Sequence, residues 1–262
     1  MLYFVIIAVI LILTAYCLWW KPKQADNYYN QRTLWFAHRG TMLHEPENTL
    51  ASFICAVELG FPAIEVDVVS TKDGVVICSH NFDLERKTNG YGYIHKKDYP
   101  AVKNLKVVGP AENKREQIST LNQVLDMIKE PTSINIEIKT SKWLDFKTAW
   151  LVGNLIKEKN LKNRVMVSTF NALTLCFIHL FFRSINTGYI VNQKYMIPPI
   201  HFAKPDFIHP RGDLISVELI KYAKQKGLRI NAWTINTKPA IEWLEKQGVD
   251  GIITDRLEFF KK

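Results

Sequence analysis

Cysteine is scarce in this sequence. The chain has 262 residues and four cysteines, and no two of them form a C-x-x-C pair. Disulfide-dense scaffolds need many more cysteines than this, and thiolate zinc sites generally use closely spaced cysteine pairs. We therefore exclude a small disulfide-stapled domain, and we do not expect a zinc site built from cysteine.

Acidic residues are fewer than basic ones, and long apolar runs are almost absent. The 34 Lys and Arg residues against 25 Asp and Glu residues give a formal net charge of +9, which suits anionic partners such as phosphates or anionic lipids. We find no base-reading or phosphate-tracking motif, so nucleic acid is not expected as a partner. A single long apolar run, at the amino terminus, excludes a polytopic membrane protein.

That apolar run covers residues 1–20, in which Thr14 is the only polar residue. About 20 apolar residues suffice for a helix to cross a bilayer, and the run has no polar face that would suit the alternative, a buried core helix. A cleaved signal peptide has basic residues before its apolar region, whereas no Lys or Arg precedes this run. We therefore predict an uncleaved, single-span membrane anchor. Lys21, Lys23 and Arg32 follow the run, so the positive-inside rule places the rest of the chain on the cytoplasmic side.

After a polar linker over residues 21–33, β-rich runs alternate with helical patterns to the end of the chain. The runs cover residues 34–38, 63–69, 133–139, 164–170, 187–191, 206–208, 228–235 and 250–255. The intervening segments 48–59, 119–128, 144–159, 171–183, 214–226 and 238–247 carry apolar residues at helical spacing. Eight strands with intervening helices predict one α/β domain, a (β/α)8 TIM barrel over residues 34–262.

One connection is too short for a parallel crossover. Only the stretch Ser70–Gly74 separates the second strand from the apolar run 75–80, whereas parallel strands need a crossover of about a dozen residues or more. The Asp73-Gly74 pair is typical of a hairpin turn. We therefore predict an extra antiparallel strand, which brings the residue at its end, His80, back beside the second barrel strand.

Three further segments have less regular patterns. Residues 81–118 are predicted to form a long irregular loop, of a length that is usually functional or disordered. Residues 195–202 form an apolar loop after the fifth barrel strand, where they could line a tract for an acyl chain, contact the membrane, or simply pack over the barrel rim. Leu180–Phe182 lies within a helical pattern and is predicted to belong to the core.

Four ionisable residues occupy alternate positions of two barrel strands. Strand residues alternate between two faces, so Glu65 shares a face with Asp67, and Glu137 shares a face with Lys139. Inward-facing charges are costly unless they are paired or bind a cation. The alternative is an outward, solvated orientation, which becomes less favoured as the set grows to four. Three carboxylates offer only oxygen ligands, which favours Mg²⁺ or Ca²⁺ over zinc.

Two histidines fall at strand ends, where barrel active sites are built. His38 and Arg39 end the first strand, and His80 ends the returning strand. One imidazole can deprotonate a nucleophile while the other protonates the leaving alkoxide, and Arg39, Lys139 and a cation can neutralise phosphate oxygens. A lone histidine is more often structural, but two beside carboxylates indicate a phosphodiesterase site.

Several short blocks carry a family resemblance. They are AHRG (37–40), PENTLASF (46–53), IEVDVVSTKDGVVICSH (64–80), LERKTNGYG (84–92), IEIK (136–139), AWTIN (232–236) and GVDGIITD (248–255). In these blocks and their order, the chain resembles the glycerophosphodiester phosphodiesterase family over residues 34–260. The resemblance implies a TIM barrel that hydrolyses glycerophosphodiesters to glycerol 3-phosphate and an alcohol. It also implies that some members act on lysophospholipids as phospholipase D-type enzymes.

The same resemblance implies roles for individual residues. Those that match the family's motifs are the acid/base pair His38 and His80, the ligands of one divalent cation (Mg²⁺ or Ca²⁺) Glu65, Asp67 and Glu137, the phosphate clamps Arg39 and Lys139, and Trp233 in the substrate groove. For Trp233, packing within the barrel is an equal alternative. Glu47 resembles a residue that supports the metal site, and Asn48 is either a site residue or a helix cap.

One position departs from the family pattern, which usually has His-Asp after the hairpin where this chain has His80-Asn81. An amide cannot supply the negative charge that raises a neighbouring histidine's pKa, although its oxygen still accepts a hydrogen bond. We expect reduced basicity rather than loss of activity. Two alternatives stay open: a lysophospholipase D-type enzyme acting on membrane lysophospholipids, and an inactive, membrane-tethered phosphate-binding module.

Overall fold

Eleven strands are present in the computed structural model, which describes residues 1, 3–8, 11–12, 20–23, 29, 33–111 and 113–260. They are β1 (Leu34–Ala37), β2 (Ala63–Ser70), β3 (Val76–Cys78), β4 (Lys106–Val108), β5 (Arg115–Gln117), β6 (Ser133–Ile138), β7 (Val165–Thr169), β8 (Asn186–Val191), β9 (Phe207–Pro210), β10 (Arg229–Ala232) and β11 (Gly251–Thr254). Eight of them pair in parallel in the order β1, β2, β6, β7, β8, β9, β10, β11, and β11 pairs with β1. The predicted eight-stranded parallel barrel is therefore confirmed.

Helices surround the barrel on the outside. They are α1 (Leu50–Glu58), α2 (Leu121–Met127), α3 (Lys147–Glu158), α4 (Ala172–Phe181), α5 (Ile200–Ala203), α6 (Val217–Lys226) and α7 (Lys238–Gln247). In α3 the buried residues Ala149, Val152 and Ile156 recur at helical spacing, so one face packs on the strands. Helix α1 begins with a capping box, in which the side chains of Thr49 and Ser52 each accept a hydrogen bond from the other's backbone N–H.

Strand β2 supplies part of the barrel interior, and every one of its residues is buried. Ile64 and Val66 belong to the main hydrophobic core, so the alternate residues Glu65 and Asp67 point to the opposite face, the barrel axis. In the parallel pairing with β6, Asp67 lies opposite Glu137. Carboxylates thus occupy positions that branched apolar residues usually fill in such barrels.

The short strand β3 runs antiparallel to β2, with Val68 opposite Cys78. The connecting turn is tight, and Gly74 adopts a φ of +92°, which L side chains rarely adopt. Immediately after β3, the backbone N–H of Ser79 donates to the carbonyl oxygen of Asp67 (3.0 Å). The second histidine, the next residue in the chain, is thereby held beside the carboxylate-bearing end of β2.

Residues 81–118, which we call the inserted lobe, are not an irregular loop. They contain the antiparallel pair β4–β5 and two 3₁₀ turns, Ile94–Lys96 and Tyr99–Ala101. A separate hydrophobic cluster holds the lobe on the hairpin; its buried members are Val69, Ile77, Leu84, Ile94, Val102, Val107 and Ile118. The expectation of an irregular loop is wrong, because these apolar residues follow neither a helical nor a strand period and are brought together only by tertiary packing.

The prediction that Leu180–Phe182 belongs to the core is wrong for two of the three residues. Phe182 is buried, but Leu180 and Phe181 are 64% and 53% exposed. Consecutive residues of a helix point about 100° apart, so three in a row cannot all face the same core. Two apolar side chains are therefore partly exposed at the end of α4, although Phe181 also packs against Trp150 and Phe177.

Half of the predicted membrane anchor, residues 1–20, lies outside the described residues. Within it, residues 3–8 and 11–12 are helical. Over the part of the chain that the structure describes, no helix combines the length and the apolar character needed to span a membrane. Trp20, at the end of the run, is buried, and the ammonium of Lys226 lies 5.0 Å from its ring centroid.

Parts of the predicted linker, residues 21–33, contact the N-terminal face of the barrel, the end at which the strands begin. The backbone N–H of Lys23 donates to Oδ1 of Asp206, just before β9 (2.7 Å). The hydroxyl of Tyr29 donates to Oδ1 of Asn231 in β10 (2.7 Å). Lys23 and Tyr29 therefore contact the end of the barrel opposite to the carboxylates.

Candidate active site

Three carboxylates meet toward the C-terminal face of the barrel, the end at which the strands finish. Glu65 and Asp67 come from β2 and Glu137 comes from β6, and oxygens of all three lie within 4.8 Å of one another. Glu65 and Asp67 are only 2% and 1% exposed. The period-two alternation that predicted a shared inward face is thus present in the fold.

Two cations are placed against these carboxylates. The ammonium of Lys139 lies 2.9 Å from Oδ1 of Asp67 and also contacts Glu137. Nε of Arg39 lies 3.2 Å from Oδ2 of Asp67, as an ion pair whose N–H is not aligned for a hydrogen bond. When all the groups are charged, three negative charges face two positive ones, so the cluster retains an attraction for a further cation.

Burial and mutual repulsion give the three carboxylates different acidities. Burial, aided by repulsion from Asp67 and Glu137, raises the pKa of Glu65 well above its ordinary value. Burial also raises the pKa of Glu137, against the attraction of Lys139. Asp67 is buried as well, but attraction by Lys139 and Arg39 outweighs burial and lowers its pKa. Asp67 is therefore the most readily ionised of the three.

The donor set fits a hard divalent cation. Oε1 of Glu65 is buried and accepts no hydrogen bond from any described residue, while its Oε2 accepts one from the backbone N–H of Arg39 (3.0 Å). A buried oxygen left in this way is costly unless water or a cation reaches it. With oxygens of Asp67 and Glu137 close by, the ligands are all oxygens, as Mg²⁺ and Ca²⁺ prefer.

Asn48 orients Asp67 from the loop before α1. Its Nδ2 donates to Oδ2 of Asp67 (2.9 Å), and the backbone N–H of Asp67 donates to its Oδ1 (3.0 Å). Asn48 adopts a φ of +57°, a left-handed conformation that asparagine tolerates better than most residues. The neighbouring Thr49 caps α1, so Asn48 is not the helix cap and instead contacts Asp67.

A left-handed turn follows β1 and aims Arg39 into the site. Arg39 and Gly40 have φ values of +54° and +78°. A Cβ atom on Gly40 would lie 2.7 Å from the backbone carbonyl of Ser52 in α1, so glycine is required by space as well as by conformation. Beyond this turn, the guanidinium of Arg39 donates to Oε1 of Glu47 (3.1 Å).

Glu47 connects the barrel site with the inserted lobe. Its carboxylate is buried, and its Oε2 lies 2.8 Å from the ammonium of Lys87 in the lobe. The other oxygen pairs with Arg39. Glu47 therefore lies outside the group of three clustered carboxylates, and it positions the guanidinium of Arg39, which faces Asp67.

His38, directly after β1, is held by a carboxylate. Its Nδ1 lies 2.6 Å from Oδ1 of Asp255. A carboxylate accepts, so Nδ1 carries a proton and Nε2 is left for the substrate. The other oxygen of Asp255 accepts from Nδ2 of Asn236 (2.6 Å), and the backbone N–H of Asp255 donates to Oδ1 of Asn236 (2.9 Å).

His80 is held by an amide instead. Its Nδ1 lies 3.2 Å from Oδ1 of Asn81. An amide oxygen only accepts, so Nδ1 donates and Nε2 carries the lone pair of the neutral ring. Burial lowers the pKa of His80, against the attraction of Asp67. The two histidines therefore have different electrostatic surroundings, with a full negative charge in hydrogen-bond contact with His38 alone.

Trp233 lies beside an open groove on the same face. It packs edge-on against Phe170, with 5.7 Å between ring centroids, and its indole N–H donates to a backbone carbonyl of β9. Phe170 lines a groove of about 480 Å³ together with Trp143 and Tyr195. The ammonium of Lys139 lies 5.9 Å from the centroid of the Phe170 ring, so the groove begins next to the charged cluster.

Two residues of this arrangement, Asp255 and Asn236, are not identified as site residues by the sequence reasoning. Both lie within the blocks AWTIN and GVDGIITD that carry the family resemblance. Asp255 directly follows the C-terminal end of β11, and Asn236 lies shortly after the C-terminal end of β10. Polar residues at such strand ends commonly build barrel active sites, and this signal would have found them.

Known proteins match this chain in sequence and in fold. A model of the glycerophosphoryl diester phosphodiesterase family matches residues 38–259. A glycerophosphodiester phosphodiesterase of Caldanaerobacter subterraneus subsp. tengcongensis is 35% identical over 230 residues, which cover 86% of this chain and 94% of that protein. One from Bacillus altitudinis is 30% identical over 231 residues, which cover 84% of this chain and 93% of that protein.

Solved structures agree with these relatives. A phosphodiesterase of Oleispira antarctica, in complex with the product sn-glycerol-3-phosphate, has a TM-score of 0.80 and 25% identity, and the match covers 91% of this chain and 98% of that one. A glycerophosphodiester phosphodiesterase of Thermotoga maritima has a TM-score of 0.71 and 26% identity, covering 87% of this chain and 97% of that one. From the family match and the relatives together, the chain belongs to the glycerophosphoryl diester phosphodiesterase family.

Proposed function

We propose that the protein hydrolyses glycerophosphodiesters to glycerol 3-phosphate and an alcohol, with His38 and His80 as an acid/base pair. The observation that carries the proposal is the convergence of two histidines, three carboxylates and Lys139 at one end of the barrel. Membership of the family and the printed names of the relatives support phosphodiesterase activity. The roles of individual residues rest on their geometry.

The surroundings of the two histidines suggest how they divide the proton transfers. The neutral ring of His80 presents the lone pair of Nε2 and has a lowered pKa, so it suits the removal of a proton from an attacking hydroxyl. His38 donates through Nδ1 to Asp255, which fixes the orientation of the ring and leaves Nε2 facing the site. Nε2 of His38 then suits the donation of a proton to the leaving alkoxide.

Arg39 and Lys139 suit the phosphate. Their positive groups face Asp67 at the mouth of the site, and both can donate to phosphate oxygens. A divalent cation, Mg²⁺ or Ca²⁺, would be held by Glu65, Asp67 and Glu137. When bound it would neutralise charge that develops on the phosphate oxygens.

The attacking hydroxyl is either the substrate's own glycerol hydroxyl or a water molecule. In the first route a cyclic glycerol phosphate forms and is then opened by water, so the two histidines act twice. In the second route glycerol 3-phosphate forms directly. Phosphorus NMR of reactions quenched early separates the routes, because only the first accumulates a cyclic phosphodiester.

The test of the proposed activity is product analysis with glycerophosphocholine, with and without a chelator. Glycerol 3-phosphate and choline are the expected products, and EDTA followed by dialysis should abolish turnover until Mg²⁺ or Ca²⁺ is returned. Full turnover in excess EDTA would contradict the role of the cation. Release of phosphocholine would contradict the proposed bond cleavage.

A lysophospholipase D-type activity is the second candidate, and the apolar groove favours it. The groove lies beside Lys139 and is lined by Phe170, Trp143 and Tyr195, surfaces suited to an acyl chain. Lysophosphatidylcholine assayed in parallel with glycerophosphocholine distinguishes the two substrates by their kcat/KM values. The inactive-module alternative has little support, because both histidines and all three carboxylates are brought together in one site.

For localisation, we propose a single-pass anchor over residues 1–20 with the barrel on the cytoplasmic side. Support comes from the apolar run and the basic residues that follow it. Deleting residues 1–19, which leaves the buried Trp20 in place, should convert a carbonate-resistant membrane protein into one that stays in the supernatant with its turnover intact. Protease accessibility of the barrel in right-side-out and inverted vesicles tests the orientation.

A further inference from the structure

A groove of about 500 Å³ lies on the N-terminal face of the barrel, at the opposite end from the catalytic cluster. It is bounded by the ends of α3 and α4 and by the loops that lead into β7 and β8. Its lining includes three basic residues, Lys157, Lys162 and Arg183, and five apolar ones, of which Leu180 and Phe181 are exposed. The catalytic proposal uses none of them.

The groove combines unpaired positive charge with exposed apolar surface. Lys157, Lys162 and Arg183 are exposed, none forms a salt bridge with another described residue, and no carboxylate lines the groove. A cation at the end of a helix also complements the helix dipole, but that effect does not account for the exposed surface of Leu180 and Phe181 beside it. Basic side chains next to exposed apolar ones suit the interface of an anionic bilayer, where headgroup charge meets acyl chains.

The chain that follows the proposed anchor runs along the edge of this groove. The ammonium of Lys23 donates to the carbonyl oxygen of Arg183 (3.2 Å) and also bonds the carbonyl oxygen of Ile185, which are both groove residues. Trp20, the last residue of the apolar run, is buried and stacks under the ammonium of Lys226 at the same end of the barrel. The bilayer that receives the apolar run before Trp20 would therefore lie against the N-terminal face.

We propose that this groove binds anionic phospholipid headgroups, with Lys157, Lys162 and Arg183 contacting phosphates and with Leu180 and Phe181 reaching the acyl boundary. The proposal rests on the membrane anchor put forward under the proposed function. Headgroup binding in the groove holds the N-terminal face flat on the bilayer and turns the catalytic end of the barrel toward the aqueous phase. Substrate then reaches the site from water, which favours soluble glycerophosphodiesters over lysophospholipids of the same membrane.

The size of the effect follows from the number of charges. Each Lys or Arg close to an anionic surface contributes roughly a fivefold factor to binding, so three contribute on the order of 10²-fold. Screening shortens the reach of this attraction from about 10 Å at 0.1 M salt to about 3 Å at 1 M. Binding of the N-terminal face to the bilayer should therefore depend on anionic lipid and weaken strongly as the salt concentration rises.

The experiment places the full chain in nanodiscs of phosphatidylcholine alone or of phosphatidylcholine with phosphatidylglycerol. Hydrogen exchange is followed for amides 157–163 and 180–185. The test variant is Lys157→Gln/Lys162→Gln/Arg183→Gln. The matched control is Lys72→Gln/Lys96→Gln/Lys103→Gln, which removes the same charge from exposed positions elsewhere. Turnover of glycerophosphocholine in detergent, measured on every variant, checks the fold and tests the proposed activity separately.

We expect slower exchange of these amides in the phosphatidylglycerol discs, for the wild type and the control variant, with the protection lost in high salt and in the test variant. Detergent turnover should be the same in all three proteins. Equal exchange in both lipids, or protection that survives in the test variant, would overturn the proposal. Failure of the wild-type chain to enter either disc would overturn it too, by removing the anchor, while leaving the measured turnover to judge the enzymatic function.

Discussion

Replacing Asp255 with asparagine tests whether the carboxylate behind His38 matters for turnover. In the structure both carboxylate oxygens accept hydrogen bonds: Oδ1 from Nδ1 of His38 at 2.6 Å and Oδ2 from Nδ2 of Asn236 at 2.6 Å. An asparagine has one oxygen and one NH₂ group in the same places. If its NH₂ faces Asn236, that hydrogen bond is lost; if it faces His38, Nδ1 must accept instead of donate, which forces the ring into the other tautomer.

The magnitude follows from the lost interaction. A hydrogen bond to a charged group is worth about 1.5–3 kcal/mol, and each 1.36 kcal/mol is tenfold in rate. If the carboxylate stabilises the imidazolium that protonates the leaving alkoxide, Asp255→Asn should lower kcat roughly 10- to 10²-fold. KM should change little, because the substrate does not touch Asp255 in the proposed arrangement. Steady-state kinetics with glycerophosphocholine measure both quantities.

A double-mutant comparison makes this prediction refutable. In a His38→Ala background the carboxylate has no imidazole to support, so Asp255→Asn should have almost no additional effect on kcat. Asp126→Asn removes an exposed carboxylate paired with Lys159 and serves as the control for lost surface charge. Wild-type kcat in Asp255→Asn, or a full additional loss in the His38→Ala background, would show that Asp255 does not act through His38.

Four further outcomes are expected. The pKa of Glu65 is raised above its ordinary 4.5, so the metal-free fold binds the extra proton and its Tm should fall as pH rises above that value. Mg²⁺ or Ca²⁺ should reverse the fall, and Glu65→Gln should reduce both effects, leaving the part due to Glu137, whose pKa is also raised. Asn81→Asp should raise the pH at which His80 titrates in the kcat/KM profile, and an unchanged profile would show that the charge at position 81 does not affect the pKa of His80. His38→Ala and His80→Ala should each cost about 10²–10⁴ in kcat, and together far less than the product; a multiplicative loss would mean that they do not act in one cycle. Tyr29→Phe leaves a buried amide oxygen without this donor and should cost about 1–3 kcal/mol of unfolding free energy in urea titrations, unlike the same change at an exposed tyrosine.

The barrel and its carboxylates could be predicted because their signals are local. Alternation along β2 places Glu65 and Asp67 on one face whatever the rest of the chain does. The five-residue turn that ends in Asp73-Gly74 likewise excludes a parallel crossover by its length alone. Such patterns need no knowledge of distant residues.

The features that sequence reasoning missed depend on distant partners. His38 and Asp255 are 217 positions apart, and an aspartate after a strand also reads as an ordinary solvated residue. The packing of the inserted lobe was not predicted for a similar reason, since Leu84 and Val107 come together only in the folded hydrophobic cluster. For Phe181 the prediction of burial is wrong. An apolar residue in a helix is buried only if its side chain points toward the core, and the sequence of three apolar residues does not give that direction.

The left-handed turn after β1 bears on how the protein tolerates mutation. In a saturation-mutagenesis library, position 40 should reject every side chain, because any Cβ collides with the α1 backbone. Position 39 should behave differently: asparagine or glycine would keep the turn and lose the charge that faces Asp67, whereas valine or isoleucine would disturb the turn itself. Adjacent positions would thus fail for separate reasons, one visible in protein abundance and the other in turnover of correctly folded protein.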